Sequence, residues 1–123
     1  MAQSEKLCCI TRPAGADLSA AQYRFVELTS AGKVTQCNAQ GELALGVLQN
    51  DPDADTRAAE VAIGGVTKVT LGATVAANAK VMTDTTGRAI TATATNHVLG
   101  LCIKGGAVGE VGEVLLYTPS ILA

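Results

Sequence analysis

The sequence predicts an all-β protein built as a single domain. A chain of 123 residues fits one compact domain and leaves no room for a second. From Gln22 onward, short apolar runs rich in Val, Ile and Thr alternate with turn residues, which is typical of β-strands. No segment keeps a 3.6-residue apolar period over the ~12 residues that a helix prediction needs. Residues 18–22 and 73–79 could each accommodate only a short helix.

The predicted strands follow one another closely. In chain order they cover 23–28, 33–37, 42–49, 59–63, 66–71, 80–83, 88–93, 97–103 and 113–118. Gly32 and Gly87 supply residues that tolerate positive φ in two hairpin turns. The pair Gly64-Gly65 predicts a two-residue hairpin turn between the fourth and fifth strands. Residues 50–60, which carry four acidic side chains, predict a solvated loop, and the Gly-rich stretch 105–112 predicts a hairpin loop before the last strand.

An N-terminal arm, residues 1–21, precedes the β domain, residues 22–123. The arm lacks periodicity and contains Pro13 and Gly15, but residues 7–11 are β-prone and apolar. Such a segment gains affinity when it adds to the edge of a partner's sheet.

We therefore expect the arm to clasp an adjacent subunit. Leu7 and Ile10 would be its apolar anchors, and Arg12 and Lys6 would meet acidic groups on the partner. The alternative is that the segment folds back as an edge strand of its own domain.

One short sequence motif occurs twice in the chain, and we call this repetition the echo. Leu45-Gly46-Val47-Leu48 and Leu99-Gly100-Leu101-Cys102 stand 54 residues apart in similar strand contexts. Because glycine within a strand marks a bulge or close packing, we interpret the echo as two closely packed strands rather than as a duplication.

Composition excludes several classes of function. The nine basic residues are scattered and the net charge is -2, so no basic surface for nucleic acid is expected. No apolar run approaches the ~18 residues of a membrane span, and the N-terminus carries no signal peptide, which predicts cytoplasmic synthesis. Aromatic residues make up 2% of the chain and 21 residues are alanine. The core is therefore expected to be thin and to be completed by neighbouring copies.

The residues that carry chemistry form no recognised motif. Cys8, Cys9, Cys37 and Cys102 have neither zinc nor thioredoxin spacing, so we expect reduced, mostly buried thiols. No serine lies in a nucleophile elbow, and the DPDAD segment does not fit a calcium loop. We expect no enzyme activity, metal or cofactor.

Two other classes of function stay open. The first is a lysine-carrier module that uses Lys68 or Lys80, and the second is a small enzyme with Cys102 as nucleophile and His97 as base.

From about Ala14 to Tyr117 the chain resembles the capsid cement, or head decoration, proteins of tailed bacteriophages. The resemblance is carried by ADLSAAQYRFVEL (16–28), GVLQNDP (46–52), VAIGGVTKV (61–69), LGATVAANAKVMTDTTGRAI (71–90) and VLGLCIKGGAVGEVGEVLLY (98–117). The chain has Asn78-Ala79 where such proteins often have Gly-Asp, and adjacent cysteines are not a feature of the family.

The resemblance implies a small β-barrel-like or β-tulip domain with an extended N-terminal arm. It also implies a virion structural protein, made in the host bacterial cytoplasm, that binds the outer surface of the phage head and stabilises the shell. The expected partners are the major capsid protein and copies of the chain itself in a homotrimer, with neither nucleic acid nor membrane.

Overall fold

The computed structural model describes residues 7–121, which form nine β-strands and, within that range, no helix. The strands are β1 (Cys8–Pro13), β2 (Phe25–Leu28), β3 (Val34–Gln36), β4 (Gly46–Leu48), β5 (Ala58–Thr70), β6 (Lys80–Thr83), β7 (Ala89–Thr91), β8 (His97–Lys104) and β9 (Val111–Ile121). The all-β prediction is confirmed.

The strands form one curled antiparallel half-barrel. Their order is β3-β2-β4-β5-β9-β8-β6-β7, and β1 pairs with β5 beside this path. The 13-residue strand β5 connects two sheets. Its first part pairs with β1 and β4, and its second part pairs with β9. The half-barrel is therefore two sheets that share a single long strand.

The hairpin predicted at Gly64-Gly65 is wrong, because both glycines lie inside β5. Gly64 is opposite Cys8 of β1, whereas Gly65 is opposite Leu116 of β9, so the strand changes partners between them. Gly65 has a φ of +86°, which a residue with a side chain adopts only with strain. The glycines let the strand pass from one sheet to the other instead of reversing it.

Two predicted turns are confirmed. β2 and β3 are joined through Gly32 at a φ of +79°, and β6 and β7 through Gly87 at +78°. In both turns the glycine amide donates to a carbonyl three residues earlier, that of Thr29 in one and Asp84 in the other. The Gly-rich stretch that follows β8 also leads into β9 as a hairpin.

The chain consists of two halves with the same topology, which we call the first half (8–64) and the second half (65–121). In the first half the strands β1, β2, β3, β4 and the start of β5 pair as β3-β2-β4-β5-β1. In the second half the end of β5, β6, β7, β8 and β9 pair as β7-β6-β8-β9-β5. Every pairing in one half has its counterpart in the other.

Details outside the strands repeat as well. The isolated parallel bridge between Ala14 and Val34 has its counterpart between Leu71 and Ala89. Tyr23 and Asn78, the residues that precede β2 and β6 by equivalent distances, have φ values of +64° and +74°. The amide of Tyr23 donates to Leu48, and the amide of Asn78 donates to Cys102. The halves therefore share loop conformations as well as strand order.

The echo seen in the sequence marks equivalent positions of these halves. A Cβ at Gly46 would overlap the carbonyl oxygen of Ala62, and one at Gly100 would overlap that of Leu115. The close packing expected of both glycines is confirmed. The repeat that the sequence analysis set aside is nevertheless present, because the two glycines are a single structural position that occurs twice.

Two apolar clusters form the core. The smaller cluster belongs to the first half alone and consists of Ala14, Leu18, Ala21, Val26, Val34, Leu48, Ala59 and Val61. The larger one joins both halves and consists of Phe25, Cys37, Ala44, Val47, Ala62, Val69, Leu71, Val75, Val81, Ala89, Leu99, Cys102, Val114 and Leu116. Successive residues of a strand point to opposite faces, and Val47 and Leu48 belong to different clusters. The first sheet is therefore buried on both of its faces.

The segment before β2 is packed into the fold over the residues that the structure describes. β1 pairs with β5 from Cys8 to Pro13, which is the edge-strand alternative for this segment. Ala14, Leu18 and Ala21 are fully or almost fully buried against the first sheet. Packing therefore continues across residue 21, the division between arm and domain.

Candidate interaction surfaces

The acidic and histidine side chains do not form a metal site in the described part of the chain. Between residues 7 and 121 no three His, Cys, Asp or Glu side chains lie close enough together to hold a metal ion. In the loop before β5, Asp53 and Asp55 instead pair with Arg57 at 3.4 Å and with Lys33 at 3.0 Å. The structure likewise describes no helix long and apolar enough to cross a membrane.

The four cysteines are free thiols in different environments. Cys37 and Cys102 are buried in the larger cluster, Cys9 is half-buried and Cys8 is exposed. Burial raises the pKa of Cys37 far above its usual value, and the carboxylates of Glu42 and Glu27 raise it further. Burial also raises the pKa of Cys102. Both buried thiols are therefore held in the protonated form, which is a poor nucleophile.

The pair proposed for a cysteine enzyme is not brought together as nucleophile and base. Cys102 lies in the larger core cluster, whereas Nδ1 of His97 lies 3.3 Å from the carbonyl oxygen of Gly41. The backbone amide of His97 donates to the same carbonyl oxygen at 3.0 Å. His97 therefore ties the loop after β3 to the second half.

Neither candidate carrier lysine lies at the tip of a hairpin. Lys68 lies within β5, and its Nζ is 5.9 Å from the centre of the Tyr23 ring. Lys80 is exposed at the first position of β6. A lysine within a paired strand cannot be presented to a modifying enzyme as a hairpin tip can.

Of the four residues predicted to contact a neighbour, Lys6 lies outside the described residues, and the other three have different surroundings. Leu7 is 38% exposed, whereas Ile10 is half-buried against the smaller core cluster. Arg12 is exposed, and its guanidinium donates to the carbonyl oxygen of Gly32 at 3.1 Å and 3.3 Å. Of the two predicted apolar anchors, Leu7 is therefore the more exposed.

A row of four side chains crosses the first sheet and is buried between the two halves. The cross-strand partners in it are Cys9, Ala62, Val47 and Phe25, in the order β1, β5, β4 and β2. Ala62, Val47 and Phe25 are fully buried in the larger cluster, and Cys9 packs against it. We call this set the buried row.

The second sheet carries the equivalent row on its outside. Val66, Leu115, Leu101 and Lys80 are cross-strand partners in the order β5, β9, β8 and β6. The three apolar members are half-buried and Lys80 is exposed. We call this set the open row, because in the described chain neither core cluster includes it.

A second exposed apolar surface lies in the first half. It is a groove lined by Glu27, Leu28, Glu42, Leu43, Ala44 and Leu45, which we call the leucine groove. Leu28 is 51% exposed and Leu43 is 57% exposed, large fractions for leucine. Adjacent exposed leucines with polar groups at the rim are typical of a protein contact site.

The charged groups of the leucine groove are two interacting carboxyls. Glu42 accepts hydrogen bonds from the backbone amides of Asn38 at 2.7 Å and Ala39 at 3.0 Å. Partial burial raises the pKa of Glu27, and the hydrogen bond and negative charge of Glu42 raise it further. A cation that entered the groove would relieve this repulsion.

Sequence reasoning missed both surfaces. The open row is visible only in the register of four strands that are distant in the sequence. Leu28 and Leu43 fall within predicted strands, and no local sequence signal indicates that their side chains are uncovered. The sequence signal that could have revealed the open row is the repeated motif around Gly46 and Gly100, because its spacing of 54 residues shows which residues of the two halves are equivalent.

Comparison with known proteins shows which fold this chain shares. No protein-family model and no curated protein sequence matches the chain. Among solved structures, the curled all-β domain is similar to the crystal structure of the N base of head fiber gp8.5 from bacteriophage phi29. The TM-score is 0.72 at 15% sequence identity, and the match covers 96% of this chain and 99% of the other. At this identity the similarity demonstrates a shared fold.

Proposed function

We propose that this protein is a virion structural protein that binds the outer surface of a tailed-phage head and stabilises the shell. The observation that carries the proposal is the end-to-end similarity of fold to the base of a phage head fiber. Because that match leaves almost no part of either chain uncovered, the similarity extends to the whole domain rather than to a common substructure.

The surface chemistry of the domain supports a binding role rather than a catalytic one. The buried thiols are protonated, His97 is used to tie a loop, and Asp53 and Asp55 of the acidic loop are paired with basic side chains. The exposed large apolar residues lie instead at sites that suit protein contacts, among them Leu7, Leu28 and Leu43. A cement protein needs such a rigid body with several contact surfaces.

The shell contact is proposed for the free edge of β1 and for Leu7 beside it. β1 pairs with β5 along one edge, and among the described strands no other pairs with it, so its other edge would offer backbone groups to a strand of the major capsid protein. Leu7 would supply the apolar anchor. Ile10 and Arg12 would act from within the domain, since Ile10 packs against the core and Arg12 holds the turn at Gly32.

A homotrimer is the proposed assembly. Three copies joined in one rigid body would bind the head far more tightly than one copy, because each later contact forms at a high effective concentration.

The test is binding to shells assembled from the major capsid protein encoded in the same genome. The purified protein is expected to co-sediment with expanded shells and to raise the temperature at which they disrupt. Leu7→Glu should lower occupancy at least tenfold with unchanged melting of the free protein, whereas Val108→Glu, at a 59% exposed position in the β8–β9 turn, should bind as the parent does. Absence of binding to both expanded and unexpanded shells at micromolar concentration would refute the proposal.

A further inference from the structure

The contact between the two halves is built from two complementary surfaces. The first half contributes the buried row and the loop after β3, in which Gly41 donates to the carbonyl of Thr83 at 2.9 Å and accepts from His97 at 3.0 Å. The second half contributes the receiving side, where Thr83 is fully buried and Leu116 is 8% exposed. Each half presents a different surface to the other, so the contact is of the head-to-tail (heterologous) kind.

Because the halves share one topology, each of them carries both kinds of surface. The first half uses its row and leaves only the outer residues of its receiving side exposed, beyond the smaller core cluster, while the second half uses its receiving side and leaves its row open. Leu28, Leu43 and Ile63 of the first half correspond to Thr83, His97 and Leu116 of the second half. Leu28, Leu43 and Ile63 are 51%, 57% and 37% exposed, since no row covers them.

We infer that the open row of one copy docks on the receiving side of a second copy, in the leucine groove. The contact between chains would then repeat the contact between halves. In this arrangement the loop that holds Thr95, the counterpart of Gly41, would approach Leu28 and Leu43. The occupant of the groove is thus the second half of an identical chain.

The residues that differ between the open row and the buried row fit this occupant. Lys80 stands in the open row where Phe25 stands in the buried one. In the leucine groove, Glu27 and Glu42 stand where the second half has Met82 and Asn96. The replacement of apolar and neutral residues by opposite charges on the two surfaces favours pairing between copies and adds specificity to an otherwise apolar contact.

The charged residues beside the open row mark its limit. Lys68, Glu113 and Lys104 are cross-strand partners on the same sheet, two positions further along each of β5 and β9. Their counterparts Thr11 and Glu60 are exposed in the first half and lie outside the contact between halves. The docking surface therefore ends at the same row in both halves.

Two different surfaces that meet head to tail generate a ring when the rotation closes. The inference rests on the self-association in the proposed function and is independent of shell binding. A protein that assembles but does not bind heads would refute the virion role alone, and a monomer that binds heads would refute this inference alone.

The test uses one variant that blocks each surface. Leu43→Glu adds a third carboxylate to the leucine groove, and Lys80→Glu reverses the charge of the open row, both at exposed positions. In sedimentation velocity the parent protein is expected to form an oligomer. Each variant should be monomeric at the same concentration, with self-association weakened at least tenfold, and Leu101→Glu should act as Lys80→Glu does. Val108→Glu is the matched control and should sediment as the parent.

Mixing the two blocked variants gives the decisive result. Each still has one intact surface, so an equal mixture should form heterodimers and nothing larger. Three results would overturn the inference: a parent protein that is monomeric up to about 100 µM, where weak contacts are still populated, blocked variants that assemble as the parent does, or a mixture that stays monomeric. Circular dichroism and thermal melting of each variant verify that it is folded.

Discussion

The first half of the chain buries both faces of its sheet, whereas the second half, with the same strand order, buries one face in the core clusters. The difference lies in position rather than in topology. The first sheet has a core of its own on one side and the second half on the other. The four positions of the buried row are therefore core positions, whereas the equivalent positions of the open row lie at the surface. In a repeated fold, burial thus depends on what packs against each repeat as well as on its topology.

Removing the aromatic member of the buried row should have the largest effect. Phe25 is fully buried between the halves, so Phe25→Ala leaves a cavity and should lower the free energy of unfolding by about 3–5 kcal/mol. Leu101→Ala, in the open row, should cost about 1 kcal/mol. Urea denaturation of the monomeric Leu43→Glu background measures both. Equal losses would show that the two rows are equally buried.

The two equivalent turns should respond differently to the same substitution. Gly32→Ala forces a side chain into positive φ and should cost about 1 kcal/mol. Gly87→Ala carries the same strain, but its Cβ would also lie 2.8 Å from the carbonyl oxygen of Phe25, so about 2–3 kcal/mol is expected. Chemical denaturation of both variants makes the comparison. A larger loss for Gly32→Ala would contradict the asymmetric contact between halves.

Equivalent turns begin with Asp84 in the second half and with Thr29 in the first half. Only Asp84 can ionise, so the two residues should affect the pH dependence of the free energy of unfolding differently. Burial of Asp84 opposes its ionisation, but the amides of Arg88 and Thr86, the Thr86 hydroxyl and the Arg88 charge hold its pKa below the usual value. A lowered folded pKa contributes stability that is present above the unfolded value, about 3.9, and is lost as the pH falls through the folded pKa.

Asp84→Asn should therefore lower the free energy of unfolding at pH 7 by about 1–3 kcal/mol and flatten its decline below pH 4. The counterpart change is Thr29→Val, which removes one acceptor of the Lys33 amide at 3.3 Å and should cost less than about 1 kcal/mol without a pH effect. Melting curves between pH 2 and pH 7 test the pair. An unchanged acid limb in Asp84→Asn would refute this account.

The smallest effect is expected at Glu27, whose counterpart in the second half is Met82. Its raised pKa means that the folded state binds a proton more tightly. The resulting stability is present below the unfolded value, about 4.3, and is lost as the pH rises through the higher folded pKa. Glu27→Gln removes this penalty and should raise Tm at pH 7 by about 1–3 °C. Asp51→Asn, an exposed carboxylate, is the control. A fall in Tm would show that the charge of Glu27 is stabilising.

Much of the fold was predictable because its signals are local. Alternating apolar residues located seven of the nine strands to within a few positions, and the turns at Gly32 and Gly87 follow from the φ that glycine tolerates. The long strand β5 was instead predicted as two strands with a hairpin turn between them. The segment 42–45 was predicted as strand, but pairing begins at Gly46. Of the candidate contact residues, Leu7, Ile10 and Arg12 follow from the apolar, β-prone character of the N-terminus, and their contact with a shell stays a prediction.

The strand content, the positions of the simple turns and the small-residue character of the core all follow from the amino-acid sequence. The folded chain was needed to show that Gly64-Gly65 continues a strand and that the domain is an internal repeat. A glycine pair permits both a reversal and a change of partners, and pairing with the distant strands β1 and β9 selects the second. The repeat is hidden in the sequence because a sheet position demands an apolar side chain of suitable size rather than a particular residue, so two halves can keep one topology while their residues diverge.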